Sequence, residues 1–388
     1  MEELLNIWNE SRLGWLTLAW FDGFGARTLR KLRALYDNCG DKALRVSGSK
    51  LKSLGVNHPT TEKFLVWRPT VVSEMLARRL DAERIRFILD DDAEFPTYLK
   101  HSNDPPACLF IRGARLELNR PIAIVGTRAI TSYGAKVTQL LSRELALAGC
   151  EIISGLALGV DGCAHQSALE AGGKTIAVLA NGCADSTIYP RNNQPLAKRI
   201  VEQNGTLVSE LPPGTYSFKH LFPLRNRIIA ALSVATVVIE ASEKSGSLIT
   251  AKLALEENRD VFVVPGPITS EQSRGTNNLL KFGAIPCTGP EDVLRIFNPA
   301  ENGHALPLDL QITDEERELL KILERPLHKD ELIRALEISA ADISSRLTTL
   351  EFKGLVEPQG GQIYSRSRAA QQLVSTDSAD QSPDLSLE

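Results

Sequence analysis

Between residues 113 and 298 short apolar runs alternate with longer amphipathic ones, and no other feature restricts the fold as tightly. The runs are PIAIVG (121–126), CEIIS (150–154), TIAVLA (175–180), TLVSE (206–210), ATVVIE (235–240) and DVFVVPG (260–266). Helical patterns lie between most of them, such as AKVTQLLSRELALAG (135–149) and LITAKLALEEN (248–258). Continuous β-branched strands separated by helices predict a parallel sheet covered on both faces. The expected fold class is therefore α/β, a Rossmann-like doubly wound domain, whose ligands bind beyond the carboxyl ends of the strands.

The flanks follow other patterns. Residues 1–112 read as helical, with Leu13, Leu16 and Trp20 at helical spacing. GFGARTLRKLRALY (23–36) sets a Gly-x-Gly turn before a basic amphipathic helix, a helix-hairpin-helix pattern whose free amides suit a phosphate. A second turn is expected at SLGVN (53–57), but it lacks a second glycine, so a ligand-free packing domain is the simpler account. A turn-rich linker spans 299–310. In TDEERELLKIL (313–323), Thr313 and Glu316 have capping-box spacing. HKDELIRAL (328–336), SAADISSRLTTLEFKG (339–354) and the hairpin LVEPQGGQIYSR (355–366), with a Gly-Gly turn, complete a winged helix over 311–368. Its third helix carries one cation, Arg346, between Asp342 and Thr349, which leaves DNA and protein both open as its target. Residues 369–388 read as a disordered acidic tail.

Several function classes fall away. The longest apolar-leaning run, Ile228–Ile239, has 12 residues, short of the about 20 that cross a bilayer, so no membrane partner is expected. MEELLNIWNE at the start lacks the pattern of a signal peptide. Cysteines at 39, 108, 150, 163, 183 and 287 show no C-x-x-C spacing, which argues against zinc or a disulfide framework and fits a reducing cytoplasm. The net charge of −4 equals the charge of the tail from Gln371 to Glu388, leaving residues 1–370 formally neutral. A neutral body excludes a broad basic field but allows a local basic pocket.

GGKT (172–175) precedes a strand, whereas a P-loop follows one, and Ala168 stands where its first glycine would be. GTRAITSYG after the first strand lacks the dinucleotide glycines, and the second strand ends in Ser154 instead of an acid, so NAD and FAD are not expected. Asp161 and His165, four apart, are read as a helix cap and a neighbouring hydrogen bond because no third ligand accompanies them. No cofactor, metal or catalytic residue is expected.

What remains is a set of polar loops at strand ends. Gly126, Thr127 and Arg128 follow the first strand; Lys244, Ser245, Gly246 and Ser247 follow ATVVIEAS. Glycine permits close approach and helix-start amides attract anions, so the two loops form a plausible anion track on one rim. HLFPLRNRIIAAL (220–232) adds a wall, with Lys219 and Phe222 before Pro223 and Arg225, Asn226 and Arg227 opening a helix. Cations interleaved with an aromatic suit a single strand of nucleic acid. Equally, Phe222 fits a core and Arg225 and Arg227 fit partners of Glu210 or Glu240.

The motifs AIVGTR (123–128), SGLALGVDGCAHQSALEAGGKTIAVL (154–179), IYPRNN (188–193), LVSELPPGT (207–215), FPLRNRIIAALS (222–233), EASEKSGSLITAKLALE (240–256) and VPGPITSEQSRGTNNLLKFGA (264–284) together resemble the bacterial DNA-processing protein A (DprA/Smf) family, in family order over about 165 residues. The resemblance extends to the flanks, a sterile-alpha-motif-like or hairpin domain first and a winged helix last. It implies a non-enzymatic protein that binds single-stranded DNA during natural transformation, protects it and loads RecA recombinase. By motif it implies phosphate contacts at Gly126, Thr127 and Arg128, a DNA wall of Lys219, Phe222, Arg225 and Asn226 with Phe222 as stacking ring, and a second loop from Lys244 to Ser247. It further implies a homodimer through the late part of the domain, near Leu279, Leu280 and Ile285. Two positions depart from the family pattern: Leu158 stands where Arg is usual, and Thr127 where Ser is commoner. The alternatives are a nucleotide phosphoribohydrolase of the lysine-decarboxylase-like type, although the catalytic glutamate is missing from Pro265-Gly266 onward, and an adaptor acting through its winged helix.

Overall fold

All six expected strands form in the computed structural model, each one to three residues shorter than its apolar run. The structure describes residues 8–297, 312–353, 355–367 and 370. The linker expected at 299–310 and, apart from Ala370, the tail expected at 369–388 lie outside the described residues. The chain separates into two compact units, Met1–Leu294 and Arg295–Glu388.

Among the described residues the first unit holds a nine-stranded sheet. Its strands are β1 (Ile85–Leu89), β2 (Cys108–Gly113), β3 (Pro121–Val125), β4 (Glu151–Ser154), β5 (Thr175–Val178), β6 (Thr206–Ser209), β7 (Ala235–Val238), β8 (Asp260–Val263) and β9 (Ile285–Pro286). Their order is β1-β2-β6-β5-β4-β3-β7-β8-β9. Strands β3 to β9 pair in parallel, while β2 runs antiparallel to both β6 and β1. The order reverses between β3 and β7, which pair from Ile122↔Ala235 to Val125↔Val238. Such a reversal opens a crevice at the carboxyl ends of the two strands.

Successive strand residues are buried on opposite faces. Ala177 and Leu207 join one core with the N-terminal helices, whereas Ile176, Val178 and Val208 join another with the helices Leu221–Leu232 and Ser247–Glu256. This period of two is what a sheet covered on both sides requires.

Residues 85–113 depart from expectation. The sequence pattern places them largely in a helical region ending at 112, yet IRFIL and CLFIRG supply β1 and β2. Both are short apolar runs with aromatic and β-branched residues, and their antiparallel ladder extends the sheet beyond β6. The preceding helices pack onto this extension: Trp15, Leu16 and Leu32 share a core with Phe87, Phe110 and Leu207. The Gly-x-Gly turn does open a helix, Ala26–Leu35, capped by Gly25 without a side-chain acceptor.

In the second unit the helices Asp314–Ile322, Lys329–Leu336 and Ala340–Phe352 pack with a three-stranded sheet of β10 (Leu327–His328), β12 (Ile363–Arg366) and β11 (Val356–Gly360). Both halves of the Thr313–Glu316 capping box are made. The hairpin turn falls one residue later than the Gly-Gly pair. Gly361 and Gln362 form it, at φ of 59° and 64°, and positive φ at both positions is the requirement of a type I′ turn.

Candidate nucleic-acid interface

The loops leaving β3 and β7 meet at the reversal point and line one cavity of about 400 Å³. Gly126, Thr127 and Arg128 form one side and Ser245, Gly246 and Ser247 another; Phe222, Arg225 and Asn226 complete it. Lys219 and Lys244 are outside this lining, exposed on the adjoining loops. Of the eleven candidate residues, the fold therefore brings nine together and leaves two lysines beside them.

The β3 loop is held from below. The Thr127 amide donates to the Glu240 carbonyl at 2.7 Å, and the Thr127 hydroxyl accepts from the Ala129 amide at 3.1 Å. Gly126 is required by packing: a Cβ there would stand 2.6 Å from Val160 Cγ2 and 3.0 Å from the Glu240 carbonyl oxygen. The Glu240 carboxylate accepts from the Thr131 amide at 3.0 Å and the Thr131 hydroxyl at 2.5 Å, so it pins the next helix instead of pairing with an arginine.

Arg128 is exposed, and its guanidinium carbon lies 4.9 Å from the centre of the Phe222 ring. No carboxylate lies within ion-pair distance of it among the described residues. A cation with its charge unspent sits on a half-buried aromatic face. Tyr189 meets the same ring edge-on, with centroids 6.1 Å apart. Tyr189 belongs to the IYPRNN motif, but nothing local in the sequence ties it to Phe222, 33 positions on.

Phe222 and Pro223 lie within the first turn of the helix Leu221–Leu232, which begins earlier than expected. Proline is tolerated there because first-turn amides have no partner inside the helix. Arg225 one turn later is buried. Its Nη1 donates to the Gly155 carbonyl at 2.7 Å and to the carbonyl of Val178, and its Nε donates to Asn226 Oδ1 at 3.2 Å. The guanidinium thus closes the carboxyl ends of β4 and β5. Gly155 gives it room, since a Cβ there would fall 2.4 Å from Nη2. Burial pushes Arg225 down to about 10, opposed by Asp161 and reinforced by Arg128. The same burial raises the Asp161 carboxyl against the pull of Arg225. Arg225 faces the cavity, but its donors serve the fold. Asn226 carries the connection onward, donating to the Gly246 carbonyl at 3.5 Å.

Arg227 resolves to the structural role. It donates to Glu210 at 2.5 Å and to the Asp104 carbonyl at 2.6 Å. Asp161 accepts from the Gly155 and Ala157 amides at 3.0 and 3.4 Å, bracing the preceding loop where a cap on its own helix had been expected. His165, fully buried, meets the Thr175 hydroxyl at 2.7 Å, and burial lowers it to about 3, leaving a neutral ring. Among the described residues no cluster could hold a metal, and no helix is long and apolar enough to cross a membrane. Leu158, next to the cavity residue Ala157, is exposed. Of the expected dimer residues, Leu279 and Leu280 are half-buried against the core and Ile285 lies on the edge strand β9. Phe282 (87% exposed) and Ile268 (89% exposed) stand free nearby in sequence.

Known proteins resemble this chain over most of its length. The family described as DNA recombination-mediator protein A matches residues 86–298, and the DprA winged helix domain matches 304–362. Protein Smf of Synechocystis is 31% identical over 92% of this chain and 99% of its own. The crystal structure of DprA from Streptococcus pneumoniae is similar at TM-score 0.63 and 31% identity, over 74% of this chain and 97% of that one. DNA processing protein A from Helicobacter pylori, described for its single-stranded DNA binding mode, is similar at TM-score 0.50 and 32% identity, over 56% of this chain and 97% of that one. Carrying both the recombination-mediator domain and its winged helix, this chain belongs to the DprA/Smf family of DNA-processing proteins.

Proposed function

We propose that this protein binds single-stranded DNA without regard to sequence, in the crevice between the β3 and β7 loops. The observation that carries this reading is the Arg128–Phe222 pair, a cation without a carboxylate partner among the described residues, on an accessible ring at the mouth of a polar cavity. A strand supplies what both groups lack, phosphate for the cation and a base face for the ring. Lys219 and Lys244 add charge on either side, and Ser245 to Ser247 offer hydroxyls and a helix start. Duplex DNA binds less well, because its bases are not free to stack. The role is non-catalytic: the protein shelters incoming DNA in a reducing cytoplasm and hands it to RecA during transformation. It acts as a homodimer through the face bearing Leu279, Leu280, Phe282 and Ile285.

Gel-shift comparison of single-stranded and duplex DNA with the parent and Arg128→Ala proteins tests the reading. Neutralising three or four phosphates gives a log–log salt slope near −2 to −3, at about 0.7 per phosphate. Equal affinity of parent and Arg128→Ala for oligo-dT overturns the site. Release of free base from AMP-type nucleotides at ordinary turnover rates favours the phosphoribohydrolase instead. A monomeric Phe282→Asp protein in sedimentation, beside a dimeric parent, supports the dimer face.

A further inference from the structure

One turn of helix separates two cavities. Phe222, Pro223, Arg225 and Asn226 face the crevice already described, while Leu221, Leu224 and Arg227 face a larger groove of about 970 Å³. The groove runs between the loop 211–220 and the N-terminal hairpin at Phe21–Arg27. Two aromatics on that loop are exposed to solvent: Tyr216 at 64% and Phe218 at 58%. Phe218 stacks on His220 with centroids 6.0 Å apart and planes 13° from parallel. Lys219 lies between them in sequence, exposed and without a carboxylate partner among the described residues.

The charges of the groove are already balanced. Glu210 and Asp104 are held by Arg227 at 2.5 and 3.5 Å, and Asp104 also by Arg30 at 2.9 Å and by Arg27 at 3.8 Å. Asp22 on the far wall pairs with Lys63 at 3.4 Å. An electroneutral trough therefore offers apolar and aromatic surface, entered past Lys219. Exposed rings interleaved with a cation suit successive bases of a strand better than a duplex, whose bases are stacked already.

We propose that the groove is a second stacking site for the same strand of DNA. A strand seated on Phe222 crosses the Leu221–Leu224 turn, passes Lys219, and places further bases on Phe218 and Tyr216 opposite the N-terminal hairpin. The proposal rests on single-strand binding at the crevice and adds a longer footprint to it. It also gives the hairpin a task beyond packing, as the outer wall of that footprint.

The test is fluorescence anisotropy of the full chain with labelled dT6, dT12 and dT20 at one salt concentration. The parent gains more affinity from dT6 to dT12 than the added registers alone provide. Tyr216→Ala with Phe218→Ala lowers dT12 affinity about thirtyfold or more, while dT6 affinity stays within about twofold of the parent. Phe218→Trp keeps the dT12 gain and Phe218→Leu loses it, because stacking needs a ring and not merely apolar bulk. Unchanged dT12 affinity in the double variant overturns the proposal, as does an equal loss on dT6 and dT12. A parent that binds dT6 but gains nothing at dT12 sinks the groove alone. A parent that binds neither sinks the crevice as well.

Discussion

The guanidinium of Arg128 lies 4.9 Å from the centre of the Phe222 ring, although 94 positions separate the two residues in the chain. The sheet order makes the contact, because β3 delivers Arg128 to the rim while the helix Leu221–Leu232 carries Phe222 across it. Each residue alone is an ordinary surface group. Together they form a charged, stackable platform. Phe222→Ala is expected to cost about 1–3 kcal/mol of oligo-dT binding. Arg128→Ala is expected to flatten the salt slope by about 0.7. A double-mutant cycle measured by anisotropy returns a coupling of about 0.5–1 kcal/mol, and Arg128→Lys recovers the slope with a smaller coupling, since an ammonium keeps the cation–π attraction but lacks the guanidinium's stacking plane.

Arg225 and Arg227 predict a different outcome. Arg225→Ala leaves Asp161 buried without its cation and frees the carbonyls of Gly155 and Val178. Leaving those buried carbonyls without a donor costs about 1–3 kcal/mol each. Urea denaturation should therefore show a lower midpoint, with DNA binding lost only as a consequence of unfolding. Arg227→Ala breaks the link to Glu210 and Asp104 and should lower stability while leaving the dT6 salt slope unchanged.

Leu158 offers a gain of function. It is exposed beside Ala157, which lines the crevice, at the position where the family resemblance leads one to expect arginine. Leu158→Arg adds a cation to the rim. Binding to oligo-dT should tighten at low salt, and the slope should steepen by about 0.7. An unchanged slope places the side chain off the DNA path.

The winged-helix unit carries an acid-sensitive tie. Burial alone would raise Glu316, but Lys353 at 2.6 and 2.8 Å and the Thr313 amide at 3.0 Å carry it below the usual carboxylate range. Its folded-state value lies below its unfolded one, so its contribution is present above the ordinary glutamate range and is lost as pH falls through the folded value. Protection factors of amides 313–323 in the full chain, exchange rates corrected for the intrinsic pH dependence, should fall on acidification in the parent and vary less with pH in Glu316→Gln. Thr313→Ala removes the other half of the capping box and should cost about 1 kcal/mol of local stability.

The sequence by itself determined what depends on neighbours in the chain. Alternating β-branched runs specified β3 to β8, because a strand buried on both faces must be apolar throughout. Thr313 and Glu316 specified a capping box, because that bond closes over three residues. The polar loops after β3 and β7 were legible as loops at strand ends for the same local reason. The strands β1 and β2 were written as plainly, in IRFIL and CLFIRG, but lay in a region whose flanking pattern was helical. Only the tertiary structure decided the partners. It gave Arg227 to Glu210 and Asp104, set Arg225 under the ends of β4 and β5, seated Arg128 on Phe222, and brought Tyr189 to the edge of the same ring. Charges and rings choose among groups that are close in space, and that distance is fixed by strand order, which no local pattern encodes.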